Sequence, residues 1–382
     1  RSFQAKLYPC ESRAKETLGY GGRVPMSSLT VDKEIERFST MLDAYPVRFV
    51  GNPLNLLFVE DAEPIWEAER YLRQVDDVPL MEERREYLID EQGRWPFPRI
   101  KLDARPDPWA VSEKLFHSFE RAQDLLLTQQ DVGRVIEKRV RDTEPAVVAL
   151  VIVDGLSYYD LPQGTEALPC LVKGITNTQY GYRAVVGKPS ISRRLFSLGY
   201  VSQAAFTYYA PERGGVAADI HDTLSSSQVV RVRAFDEALA ELDAMEMTRG
   251  YVQITLAGLD QICHAHHDRP PRQQYLEKIL ARFEALVQCL NTKADRALVC
   301  LTADHGILWR DEIEGRVKVA KDLFREDVRS PRYIKGSIPR HYGRGCRSHG
   351  KNFTLLKVPW MTRGFRSNEW GVHGGISAWE SL

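Results

Sequence analysis

The chain reads as an α/β protein: a mostly parallel central sheet covered by helices on both sides, a three-layer sandwich, preceded by a smaller and mainly helical region. Three observations predict this. AVVALVIV (146–153), YVQITLA (251–257) and ALVCLTA (297–303) are short, continuous apolar runs rich in β-branched residues, the pattern of strands buried on both faces, and VVRVRAF (229–235) resembles them. The intervals between the later runs carry helical periodicity, most clearly RQQYLEKILARFEALVQCL (272–290), and strands alternating with helices make parallel sheets. Finally, aspartates and histidines follow the runs directly, at the strand ends where such sheets bind ligands.

At 382 residues the chain exceeds one ordinary core, so we expect a helical region over 1–145 and an α/β domain over 146–382, with an insertion at about 307–368. Within the first region VDKEIERFSTMLDAY (31–45) has helical spacing. PDPWAVSEKLFHSFERAQDLLLTQQ (106–130) repeats it, with Val111, Leu115, Phe116, Phe119, Ala122 and Leu126 on one side and His117 toward solvent or the core edge. No apolar window is long enough to cross a bilayer, and RSFQAKLYPCESRAKE lacks a secretory apolar core, so no membrane is expected and the compartment expected is the cytoplasm. The six cysteines are scattered without a C-x-x-C pair, which excludes a zinc ribbon or disulfide frame and leaves reduced thiols.

Lys+Arg and Asp+Glu both total 52, which speaks against a generic polyanion binder. Their distribution does not. Arg329 to Asn368 holds ten Lys/Arg and no acid, whereas Glu60 to Arg94 holds twelve acids against five arginines. The basic tract, with Tyr333, His341, Tyr342 and Trp360 among its charges, fits an anionic partner such as a single-stranded nucleic acid. The alternative is that its aromatics are core and its charges hold the acidic segment of the same chain.

Asp154 ends the first run in VDGLSYYD. Asp260 and His264 follow the run at 251 in AGLDQICHAHHD, Asp304 and His305 end the run at 297 in TADHG, and His373 stands in WGVHGGIS. Singly these are turns and loops. Together they are three carboxylates and three imidazoles at one sheet edge, a donor set for zinc or, alternatively, manganese, and too many for one tetrahedral zinc site that must keep an open position. Two cations suit them, and paired cations serve in-line phosphoryl displacement. VVGKPSISRRLFSLG (185–199) adds Ser190 and Ser192 where a loop enters a helix; either is a metal-activated nucleophile or an N-cap.

In this order, D-G, P-S-x-S, D-x-x-x-H, T-A-D-H-G and H-G-G, the motifs resemble the alkaline phosphatase superfamily, and the pairing of VDGLSYYD with a terminal HGGIS is most similar to the PglZ domain of phage-defence operons of the Pgl and BREX type. The resemblance covers about residues 146–382. It implies an alkaline-phosphatase-like fold, one metal surrounded by Asp154, Ser192, Asp304 and His305, and a second by Asp260, His264 and His373. Ser192 would be the nucleophile. The implied activity is a two-metal phosphodiesterase or nuclease of an antiviral defence system, with other defence proteins as partners; the alternative is a metal-binding scaffold subunit with little or no hydrolysis. Arg193, Arg340 and Arg344 are candidate phosphate contacts, since a guanidinium fork matches phosphate oxygens. His266 and His267 read as outer or surface residues and His221 as a loop residue. No C-x-P-x-R context supports a sulfatase, and no large insertion after the nucleophile supports a phosphoglycerate mutase.

Overall fold

The computed structural model describes residues 48–58, 99–102, 105–163, 165, 167–207, 229–247, 249–264, 268–294, 296–313, 317–323, 330–348 and 350–382. The helix expected at 31–45, the acidic segment 60–94, and His221, His266 and His267 lie outside these residues. Contacts divide the chain into two compact units, Arg1–Pro106 and Asp107–Leu382. In the first, strand Arg48–Gly51 pairs in parallel with Arg99–Leu102, and a 3-10 turn spans Pro53–Phe58.

The second unit begins at Asp107, earlier than the 145/146 boundary read from the change in texture, because the helices before the first strand pack with the sheet domain. The long helix expected over 106–130 is two: α1 (Pro108–His117) and α2 (Phe119–Leu125). Ser118, at φ −134° and ψ 46°, ends one and starts the other. Val111, Leu115, Phe119, Ala122 and Leu126 are buried as their spacing implies. Phe116 is half-buried beneath the Lys357 ammonium at 4.4 Å, and His117 is exposed beside Glu113 at 3.3 Å. α1 docks on the chain's C-terminal turn, where Trp109 meets Trp379 edge-on at 5.4 Å and Ser112 Oγ accepts from Ala378 N at 2.8 Å. α3 (Val132–Thr143) sends Ile136 and Val140 into the sheet's core.

The sheet contains β1 (Val147–Val153), β2 (Val201–Thr207), β3 (Val229–Arg231), β4 (Gly250–Leu256) and β5 (Ala297–Ala303), all parallel in the order β3-β2-β4-β1-β5. Side chains of a strand alternate between faces. Val147, Ala149, Val151 and Val153 therefore join one core, with α6 (Phe235–Ala244) and α7 (Arg272–Lys293), while Val148, Leu150 and Ile152 join another, with α3, α4 (Thr178–Val186) and α5 (Ile191–Phe196). Each buried Val, Leu or Ile side chain of β1 contributes about 1.5–3 kcal/mol by burial, which is why β1 is apolar at every position. The expected three layers are present.

The basic tract forms a separate antiparallel sheet of Tyr333–Lys335, Lys351–Leu356 and Gly343–Ser348, with Lys351–Leu356 central. Tyr342 and Trp360, half-buried, pack against the buried cluster of Ile334 and Leu356. Its cations find acids from α1, α2 and the C-terminal segment: Lys357 meets Glu113, Arg344 meets Glu120, Arg363 meets Glu369 and buried Arg332 meets Glu380. Among the described residues no helix is long and apolar enough to cross a membrane.

Candidate metal centre

Parallel pairing puts the carboxyl ends of β4, β1 and β5 on one edge in register: Val153 lies opposite both Leu256 and Ala303. The residues that follow Val153 and Ala303 are Asp154 and Asp304, so strand register alone sets these two aspartates side by side. Asp260 arrives four residues after β4, at the start of the short helix Asp260–Cys263, where its N–H donates to the Asp154 carbonyl at 3.3 Å. Gly155 makes that approach possible. It sits at φ +75°, and a Cβ there would stand 2.8 Å from Asp260 N.

Six of the expected residues gather in two groups, Asp154 with Asp304 and His305, and Asp260 with His264 and His373, the ligand atoms of each lying within 4.8 Å of one another. The first group is buried. His305 Nε2 is 3.2 Å from Asp154 Oδ1 and 3.9 Å from Asp304 Oδ2. Asp304 Oδ1 accepts from the backbone N–H of His305 at 2.9 Å and of Gly155 at 3.2 Å. In the second, Asp260 Oδ1 lies 3.4 Å from His264 Nε2 and 3.3 Å from His373 Nε2, with the three side chains one-fifth to two-fifths exposed. The groups adjoin: the His305 and His373 rings are 4.4 Å apart between centroids.

Backbone carbonyls orient both central imidazoles. His305 Nδ1 donates to Gly306 O at 3.0 Å and His373 Nδ1 to Thr176 O at 3.0 Å, leaving Nε2 of each turned to the carboxylates. That outer contact commonly fixes the tautomer of a metal-binding histidine. The HGG loop is anchored as well, through Gly374 N to Thr176 Oγ1 at 2.8 Å and Gly375 N to Glu380 Oε1 at 2.9 Å.

Carboxylates and imidazoles perturb one another strongly at this edge. Burial, together with the neighbouring Asp154 carboxylate, pushes the Asp304 carboxyl up to about 8. Burial of His305 opposes its charging, yet Asp304, Asp154 and Asp260 outweigh that and raise it to about 10. Asp260 is desolvated too, but hydrogen bonds from His264 and His373 and the charges of His373 and His305 hold its carboxyl well below the usual carboxylate range. The hydrogen bond to Asp260 raises His264 against the opposing effect of burial. Two carboxylates crowded in low dielectric with imidazoles presenting Nε2 form a donor set of oxygen and nitrogen that fits divalent cations.

Sequence reasoning missed Thr178. Its Oγ1 donates to Asp154 Oδ1 at 3.3 Å and lies 3.4 Å from His305 Nε2, at the first position of α4, whose Asn177 cap accepts from Tyr180 N at 3.0 Å. The signal is TNTQYG: a capping Asn, a hydroxyl at the first helical position, and Gly181 one turn on. Gly181 is required there, since a Cβ would stand 1.7 Å from the Asp304 carbonyl oxygen. Gln129 was missed too; its amide donates to the carbonyls of Ala303 and Asp304 and so ties down the end of β5.

Ser192 lies at the second position of α5, buried, with Oγ 3.4 Å from Ser190 Oγ; Ser190 is the N-cap and accepts from Arg193 N at 3.3 Å. Arg193 and Arg340 are exposed, whereas Arg344 is engaged by Glu120 and lies over the Phe119 ring at 5.2 Å. The five described cysteines are free thiols, and none joins a metal group.

No protein-family model and no curated protein matches the chain. Among solved structures it is similar to the murine ectonucleotide pyrophosphatase/phosphodiesterase 5, at 12% identity and a TM-score of 0.38, over 61% of this chain and 86% of that one.

Proposed function

We propose that the chain is a metal-dependent phosphoester hydrolase of the alkaline phosphatase superfamily, of the PglZ type found in phage defence, acting on a phosphodiester. One observation carries this: two adjoining Asp/His groups at the carboxyl edge of a parallel sheet, with a hydroxyl at a helix N-terminus set against the buried one. The ordered motifs from Asp154 to His373 support the family reading. Asp154, Asp304 and His305 would hold one cation and Asp260, His264 and His373 another, with zinc favoured and manganese the alternative. Bound there, divalent cations would supply Lewis-acid polarisation of the phosphoryl group and lower the pKa of a nearby hydroxyl.

The chain's own part follows from the contacts. Thr178, whose Oγ1 lies 3.3 Å from Asp154 Oδ1, is the attacking hydroxyl: its oxygen bonds to phosphorus as the bond to one ester oxygen breaks, the Thr178 proton ends on the departing alcohol, and water then cleaves the phosphothreonine and restores the hydroxyl. Thr178 opens α4, and a helix N-terminus favours phosphoryl oxygens. His305 and His373, oriented from behind by carbonyls, keep their geometry as charge develops. Ser192 holds the place in motif order where the nucleophile was expected, so it is the second candidate. Nucleic acid or an oligonucleotide as substrate, and other defence proteins as partners, belong to this proposal; the exposed Lys335, Arg340, Arg347 and Lys351 around the small sheet are consistent with a polyanion.

Hydrolysis of bis-p-nitrophenyl phosphate tests the assignment. Thr178→Ala and Asp304→Asn should each abolish turnover, and Ser192→Ala should leave most of it. Loss with Ser192→Ala alone would move the nucleophile to α5. A wild-type protein that binds metal yet hydrolyses nothing would favour a scaffold.

A further inference from the structure

One three-residue segment, Thr176–Thr178, touches both metal groups. Thr176 is wholly buried, and its contacts all go to the HGG loop. Its hydroxyl accepts from Gly374 N at 2.8 Å and donates to Gly375 O at 3.1 Å, and its carbonyl accepts from His373 Nδ1 at 3.0 Å. Two residues on, Thr178 Oγ1 lies 3.3 Å from Asp154 Oδ1 and 3.4 Å from His305 Nε2, in the other group. Asn177, between them, caps α4 through Tyr180 N.

The loop that carries His373 is held from its other side as well. Ser330 Oγ donates to His373 O at 3.1 Å. Gly374 lies at φ +117°, where a Cβ would stand 2.6 Å from the Tyr333 ring and 2.8 Å from Ser330 Oγ, and a Cβ on Gly375 would stand 2.6 Å from the Leu356 carbonyl oxygen. The loop therefore runs between Thr176 and Ser330 with no space to shift. A hydrogen bond behind a histidine sets its tautomer and the direction of its free nitrogen, and with them its affinity for a cation. The Thr176 carbonyl makes that bond, and the Thr176 hydroxyl ties its own residue to the loop so that the carbonyl stays in line. Valine has nearly the same shape but no hydroxyl, and would leave the Gly374 N–H and the Gly375 carbonyl without this partner; serine keeps it.

We infer that Thr176 is a positioning residue that registers the two metal groups on each other: it aims His373 and, through the segment it shares with Thr178, fixes where the attacking hydroxyl stands relative to that histidine. The aiming of His373 stands without the hydrolase reading; the effect on rate rests on it.

Zinc titration of the full chain in competition with a chromophoric chelator reads the first part. In an Asp304→Asn protein, which retains the group Asp260, His264 and His373, adding Thr176→Val should weaken zinc on the order of 10- to 100-fold, the usual effect of losing a contact behind a ligand, and adding Thr176→Ser should not. In a His264→Ala protein, which retains the other group, Thr176→Val should leave zinc affinity unchanged. Ser330→Ala removes the hydroxyl on the opposite side of the loop and should act as Thr176→Val does; it carries the test if thermal unfolding shows that the valine variant does not fold. With zinc saturating, Thr176→Val should lower kcat for bis-p-nitrophenyl phosphate at unchanged KM, by as much as about 100-fold if Thr178 moves near 1 Å, and Thr176→Ser should restore it. Zinc affinity indifferent to both hydroxyl deletions, weakened equally in the two single-group proteins, or no better with serine than with valine would each overturn the inference. The expected zinc effects in a protein that hydrolyses no ester would instead remove the proposed function and leave the role of Thr176 at His373 standing, whereas hydrolysis with zinc binding unmoved by these variants would do the reverse.

Discussion

Gly181→Ala is the sharpest test of how α4 is seated. A Cβ at residue 181 would stand 1.7 Å from the Asp304 carbonyl oxygen, 2.5 Å from its carbon and 3.1 Å from its Cα, all of them backbone atoms at the end of β5. Real Cβ atoms keep at least 3.0 Å, so helix and strand must part by more than about 1 Å. Overpacking of this kind costs roughly 1–3 kcal/mol, and more where the obstacle is backbone. In a domain of this size that lowers Tm by about 2–12 °C. Thr178 lies one turn away on the same helix, and a displacement near 1 Å at a reacting group costs on the order of 100-fold in rate. Thermal unfolding and hydrolysis of bis-p-nitrophenyl phosphate read the two effects. Gly133→Ala is the control. There the nearest atoms to the new methyl are side-chain atoms of Ile191 and Arg194, at 3.2 and 3.4 Å, which need give only a few tenths of an ångström, and α3 would gain helix propensity, so the loss of stability should be smaller than in Gly181→Ala. Wild-type Tm and turnover in Gly181→Ala would refute the seating of α4 against Asp304.

Glu380→Gln should destabilise by about 3–5 kcal/mol, because it leaves the buried Arg332 guanidinium without its carboxylate, and should loosen the HGG loop through Gly375; chemical denaturation and metal affinity measure the two consequences. Breaking the exposed Lys357–Glu113 pair should change stability by less than about 1 kcal/mol by the same assay. Metal-free protein should lose stability as pH rises. Asp304 and His305 bind their protons more tightly folded than unfolded, so the stability they lend is complete below their ordinary values of 3.8 and 6.5 and is lost as pH climbs through about 8 and about 10. Melting in chelator should therefore fall by a few kcal/mol equivalent between pH 7 and 9, at roughly 1.4 kcal/mol per unit for each group. A flat profile would contradict the burial of these charges beside one another.

Much of this arrangement was legible because β1 is buried at every position and the half-buried edge strand β5 still carries a nearly continuous apolar run. β1 and β5 have apolar residues at nearly every position, and the polar residue that ends each run, Asp154 or Asp304, stands out for that reason. β2, VSQAAFT, was not legible. Ser202 and Thr207 are buried between neighbouring strands and helices, a tertiary circumstance that leaves no continuous apolar run. The break at Ser118 is likewise silent, since the apolar spacing continues across it from Leu115 to Phe119 and Ala122. Thr178 escaped because a threonine after asparagine reads as an ordinary helix start; only the contact of Gly181 with Asp304 gives the position meaning. The aromatics of the basic tract were legible as residues but not as surface or core, because that depended on the small sheet folding over Ile334 and Leu356.

The central claim is that residues from Asp154 to His373 converge to hold a pair of cations, and elemental analysis of the purified protein tests it most directly. The account predicts about two equivalents of zinc or manganese, falling to about one in Asp304→Asn and about one in His264→Ala. A wild-type protein that is folded, binds no divalent cation when dialysed against micromolar zinc or manganese, and keeps its Tm in chelator would contradict it.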